Sequence, residues 1–99
     1  MKIYSDPSLQ DKYEVKDLDF GIVLAGDTKK ITYYLYNETE AEVVELKASV
    51  ENTEVKIIDC PTGLKSKTSS SVSFEWSPSI TIKKGLKTQL NLKFFELYS

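Results

Sequence analysis

Apolar residues in this chain recur every second position. Leu18, Phe20, Ile22 and Leu24 share one parity, and so do Ile31, Tyr33 and Leu35. The same spacing links Val44, Leu46, Ala48 and Val50, then Val55 and Ile57. It continues in Val72, Phe74 and Trp76, in Ile80 and Ile82, and in Leu90, Leu92 and Phe94. Between them stand polar residues such as Thr32, Glu45, Lys47, Ser73, Glu75 and Lys93. Successive side chains of a strand point to opposite faces, so each run predicts a strand with one apolar and one polar face. That pattern suits antiparallel sheets with one wet side. Turn-forming residues separate the runs: Gly26-Asp27, Asn37 to Glu40, Glu51-Asn52-Thr53, Cys60-Pro61-Thr62-Gly63, Ser77-Pro78 and Lys84-Gly85. Short strands at this spacing predict an all-β fold, a single immunoglobulin-like antiparallel β-sandwich of about seven or eight strands.

Composition agrees. Val, Ile and Thr number 22 of the 99 residues, which favours strands over helices. The length supports one domain. Residues 1–12 break the alternation, mixing Ile3, Tyr4 and Leu9 with Asp6, Pro7 and Asp11, and read as an N-terminal arm or an extra strand. The sandwich proper is expected over 13–99. Lys65 to Ser71 reads as a hairpin loop or weak edge strand whose lysines discourage edge-to-edge aggregation.

The net charge of −2 conceals an asymmetry: residues 1–60 hold 7 Lys against 13 acids, residues 61–99 hold 6 Lys against 2. There is no Arg, the residue that phosphate recognition favours, and the lysines are dispersed, so no nucleic-acid partner is expected. Opposite ends of one subunit could instead attract neighbours of the same kind. The residues after Met1 form no apolar signal region, and no apolar run approaches a membrane span. Synthesis in the cytoplasm without a signal peptide is expected, with no membrane partner, and the single Cys60 suits a reducing compartment. On that basis the sequon Asn37-Glu38-Thr39 is read as a turn.

Chemistry is sparse. The chain has no His, the usual partner of a nucleophile. Cys60 beside Pro61 reads as a small apolar side chain, and Ser69 to Ser71 as linker-like. Glu38, Glu40 and Glu42, or Asp17 and Asp19, offer oxygens but lack a calcium-loop framework, so they read as solvated faces. No enzyme, cofactor or metal is expected. Adjacent aromatics on half-wet strands force a ring outward, which makes Tyr34, Tyr36, Phe95, Leu97 and Tyr98 candidates for protein contact, with Ile3, Tyr4 and Leu9 of the first segment.

The run Asp19-Phe20-Gly21, Val23, Gly26 and Asn37, with its alternating strand between, resembles the opening of an immunoglobulin-like domain of the ASH type, akin to PapD and major sperm protein domains. The segment Leu90 to Phe94 after Gly85 resembles that family's last strand, although Glu96 and Leu97 stand where the family usually has Pro. The resemblance is strong over about 20 residues and loose elsewhere. It implies the sandwich fold, and by fold-level analogy a structural part of a tailed-phage virion (head decoration, neck or tail) contacting other virion proteins or copies of itself. An intracellular adaptor or chaperone-like module is the alternative expectation, and a carbohydrate-binding module a remote one.

Overall fold

The computed structural model describes residues 1–79 and 85–98. Seven strands build it: β1 (Lys2–Tyr4), β2 (Asp17–Gly21), β3 (Lys29–Tyr36), β4 (Glu42–Val50), β5 (Val55–Ile58), β6 (Ser69–Trp76) and β7 (Leu86–Leu97). One turn of 3₁₀ helix lies at Asp11–Tyr13. The strands form two antiparallel sheets, β1-β3-β6-β5 and β2-β7-β4. The fold is therefore an all-β sandwich. The strand expected around Ile80 and Ile82 lies outside the described residues.

The four-stranded sheet has the A-B-E-D order of immunoglobulin sheets, and β4 and β7 take the places of C and F in the other. One position differs. The neighbour of β7 opposite β4 is the early strand β2, which covers only the near part of β7, from Leu86 to Gln89.

The core lies between the sheets. Leu18, Phe20, Leu35, Val43, Val72, Phe74 and Trp76 are essentially inaccessible to solvent. Phe20 meets Trp76 edge-on at 5.8 Å between ring centroids, and Tyr33 meets Phe74 at 6.2 Å. Edge-to-face contact places a positive ring edge against a negative ring face and adds to the gain from burial. The alternation read from sequence holds along β3 and along β6 up to Trp76.

It fails in two places, each where an extra residue shifts the period. At Gly21 the backbone takes φ +66° and the register with β7 slips between Asp19 and Gly21. Val23 is buried as a result, and Ile22 and Leu24, expected inside with Leu18 and Phe20, are exposed. In β4 the register slips between Val44 and Lys47, and Glu45 adopts φ +52°. This bulge puts two core residues three positions apart, Val43 and Leu46, and turns Val44 outward.

Residues 1–12 include a true strand. Ile3 pairs with Leu35 and Tyr4 with Tyr34 in the β1–β3 ladder. The chain then doubles back: Ser5 N–H donates to Tyr13 C=O, and Val15 N–H donates to Ile3 C=O, covering the outer edge of β1.

Candidate functional site: the far half of β7

A sheet edge is usable by a partner only where its backbone groups lack intramolecular partners. Among the described residues, three of the four outer strands are covered over part of their length. The outer edge of β1 bonds residues 13–15, as described. On β4, Val43 and Leu64 exchange hydrogen bonds at 2.8 and 2.9 Å, and Leu46 N–H donates to Thr62 C=O. Close approach is required here, since a Cβ on Gly63 would stand 2.8 Å from the Val43 carbonyl oxygen. On β2, Asp19 N–H donates to the Tyr33 hydroxyl and Gly21 N–H to the Asp19 carboxylate. The fourth outer strand, β5, has only four residues.

Strand β7 differs because it is a central strand for part of its length and an edge for the rest. It pairs with β4 from Leu90 to Leu97, but with β2 only from Leu86 to Gln89. The chain leading into β2 belongs to the other sheet, where Glu14 bridges Tyr4. Residues 91–97 therefore have a free flank among the described residues.

The direction of the free groups follows from two hydrogen bonds. Gln89 C=O accepts from Glu51 N–H, so odd-numbered residues of β7 aim their backbone at the β4 side. Asp19 N–H points away from β7 to Tyr33, so Leu18, one residue earlier, faces Thr88. Even-numbered residues thus aim at the β2 side. Beyond β2, the N–H and C=O groups of Leu92, Phe94 and Glu96 face the open flank.

The side chains divide in the same way. Leu90 is buried, and Leu92 and Phe94 are half-buried against the core. Phe95 and Leu97 alternate outward and are 65% and 57% exposed, and Tyr98 follows at 70%. Phe95 lies opposite Val44 and Leu97 opposite Glu42, so the β4 bulge adds an apolar neighbour to the patch. Next along the ladder, Lys47 lies opposite Lys93, a like-charge pair. Around the end of β7, Glu40, Glu42, Lys65, Ser66, Leu97 and Tyr98 line an open groove of about 420 Å³. The Tyr98 hydroxyl donates to Glu96 at 2.7 Å, and this bond with the nearby carboxylate charge raises the Tyr98 pKa above that of a free phenol.

Asn37 holds the loops behind this groove. It is fully buried, and its Nδ2 donates to the carbonyls of Ala41, Leu64 and Lys65 at 2.8, 3.1 and 3.2 Å. Its Oδ1 accepts from Thr39 N–H and from Thr39 Oγ1. Its backbone bonds Thr68 and Lys67. The sequon residue is a structural hub, and the amide nitrogen is occupied.

The residues singled out from sequence fall into three groups. Phe95 and Leu97 are exposed on one face of β7, and Leu97 and Tyr98 line the groove at its end. Tyr34 and Tyr36 are half-buried on β3, flanked by β1; Tyr36 meets the Tyr4 ring at 6.5 Å. Tyr4 is 2% exposed and is spent inside the fold, Ile3 packs against the core, and Leu9 is half-buried in a turn closed on Asp6. Sequence reasoning missed Val44, Glu42, Lys93 and Lys65. The alternation assigned Val44 to the core, and only the bulge reverses it.

Other groups offer little chemistry. Cys60 is half-buried, its thiol 3.4 Å from the Pro61 carbonyl, and burial pushes its pKa up, which lowers its nucleophilicity. Among the described residues, no three acidic or Cys side chains gather as metal ligands, and no helix is long and apolar enough to cross a membrane.

The class of protein defined to this point is an antiparallel β-sandwich with one central strand half uncovered. Comparison with protein-family models, with curated proteins and with solved structures found no match.

Proposed function

We propose that this protein is a non-catalytic structural component that works by protein–protein contact through the far half of β7. One observation supports this above all: Phe95, Leu97 and Tyr98 are exposed near a strand flank whose hydrogen-bonding groups are unpaired among the described residues. Exposed aromatic and aliphatic side chains at one place supply contact area, and unpaired backbone supplies directional bonds. The resemblance of residues 19–37 to ASH-type domains adds the setting: an accessory part of a tailed-phage particle, in head, neck or tail, contacting other particle proteins or copies of itself. Repetition on a symmetric lattice would multiply contacts that are individually weak.

The experiment is particle composition. Particles purified from the producing host are expected to carry the chain in many copies, and F95S/L97S protein is expected to be lost from them while melting at the parental temperature. Particles without the chain, or F95S/L97S protein incorporated at the parental level, would overturn the reading. The adaptor reading rests on the same open flank. It predicts a soluble complex with one heterologous partner and no association with particles.

A further inference from the structure

We infer that the partner of the free β7 flank is the same flank of a second copy, the two β7 strands running antiparallel about a two-fold axis at Phe94. This deepens the contact reading above and rests on it.

The backbone argument comes first. The free stretch is 91–97, and its midpoint is Phe94. Phe94 is even-numbered, so its N–H and C=O face the flank. An antiparallel ladder centred there sets Phe94 against Phe94 of the second copy and Leu92 against Glu96 in both directions. All three residues with outward backbone groups then meet partners of the same kind, as an antiparallel ladder requires. A centre one residue away would leave one end of the stretch unmatched. The two three-stranded sheets would join through their β7 strands, with β2 of each copy meeting the end of the other copy's β7 near Tyr98.

The side chains agree with that register. Lys47 and Lys93 form a like-charge pair at the near end of the stretch. Reversing the second copy sets Lys93 opposite Phe95 of that copy on the same face of the sheet, and a lysine over an aromatic face is favourable. The exposed Phe95 and Leu97 of the two copies merge into one strip. Parallel pairing would instead set Lys93 beside Lys93.

The partly covered edges of β1, β2 and β4 and the short edge of β5 leave the β7 flank as the one beside the exposed Phe95 and Leu97. The two-fold interface is isologous and closes on itself, so it yields a dimer and not a filament.

The test uses the full chain. Sedimentation is expected to show a concentration-dependent monomer–dimer equilibrium. In hydrogen exchange, the amides of Leu92, Phe94 and Glu96 are expected to gain protection as concentration rises, while those of Lys93, Phe95 and Leu97, bonded to β4, are protected throughout. Glu96→Pro removes one flank N–H, leaves the β4 ladder intact and is expected to weaken dimerisation roughly tenfold or more. Glu96→Asp keeps both N–H and charge and is expected to retain dimerisation. In a Cys60→Ser background, K93C mixed with F95C is expected to form a disulfide-linked heterodimer.

A monomer at all concentrations, or protection gained elsewhere than at the even-numbered amides, would overturn the inference. So would a dimer unaffected by Glu96→Pro. The two readings fail separately. A monomer whose F95S/L97S variant still drops out of particles removes only the self-pairing, and a dimer found in no particle removes only the particle setting.

Discussion

The two halves of β7 have the same backbone and similar alternation but different neighbours. From Leu86 to Gln89 the strand is flanked on both sides, by β2 and by the turn after β4, and Thr88 is buried with its hydroxyl accepting from Asn52 N–H at 3.2 Å. From Asn91 to Leu97 it has β4 on one side and, among the described residues, no strand on the other. The near half carries stability, since its partner strand brings Leu18 and Phe20 into the core. The far half keeps unpaired groups and exposed rings in one place. The difference arises from where β2 begins. Had the strand started a few residues earlier, the backbone groups of this flank would be paired.

The largest effect that would sharpen this contrast is in the core under the near half. Phe20→Ala is expected to cost about 3–5 kcal/mol by leaving a cavity against Trp76, measured by denaturant unfolding. Asn37→Ala comes next, at about 3 kcal/mol, because Ala41, Leu64 and Lys65 carbonyls would lose a buried donor. An unfolding midpoint within error of the parent would show that water replaces the amide. Gly21→Ala is expected to cost about 1 kcal/mol: the added Cβ meets open space, so only the positive φ is penalised. The far half should behave otherwise. F95S/L97S is expected to alter stability by no more than about 0.5 kcal/mol while abolishing association. A loss as large as that of Phe20→Ala would place these residues in the core and erase the distinction between the halves.

The smallest effect is a pH dependence. Glu54 accepts a hydrogen bond from Ser79 N–H at 3.0 Å, and the bonds from Ser79 hold its carboxyl below the usual value of 4.5. A depressed native pKa means the unfolded state binds the proton more readily. The contribution is present above pH 4.5 and is lost as pH falls through the lower native value. It is small because the group is solvent-exposed. Glu54→Gln is expected to flatten the acid limb of the stability profile slightly, without affecting association through β7.

Much of the fold was legible in the residue pattern. Period-two alternation marks a face only while one residue advances the strand by one position. That condition holds along β3 and β6, and there Tyr33, Leu35, Val72, Phe74 and Trp76 were assigned to the correct side. It fails at Gly21, after which Ile22 and Leu24 are turned outward, and at Glu45, where the bulge leaves Leu46, Ala48 and Val50 inside but turns the preceding Val44 outward. A glycine before an apolar run hints at the first break. A glutamate at positive φ gives no such hint, so Val44 was placed inside. Of the candidate contact residues, the exposure of Phe95, Leu97 and Tyr98 was legible because two adjacent rings cannot share one face. Tyr4 was misplaced because an aromatic in an irregular segment looks the same whether it docks on a neighbour or on its own sheet.

By itself the sequence determined that this chain makes strands, that they pair antiparallel and that they stack in two layers, because alternation and turn chemistry are local properties. Only the tertiary structure decided which strand edges are closed, since closure depends on partners distant in sequence: Tyr33 for Asp19, Leu64 for Val43, Ile3 for Val15. The open flank of β7 is a property of this kind. It is defined by a strand that begins only at Asp17, and no residue between Asn91 and Leu97 records that absence.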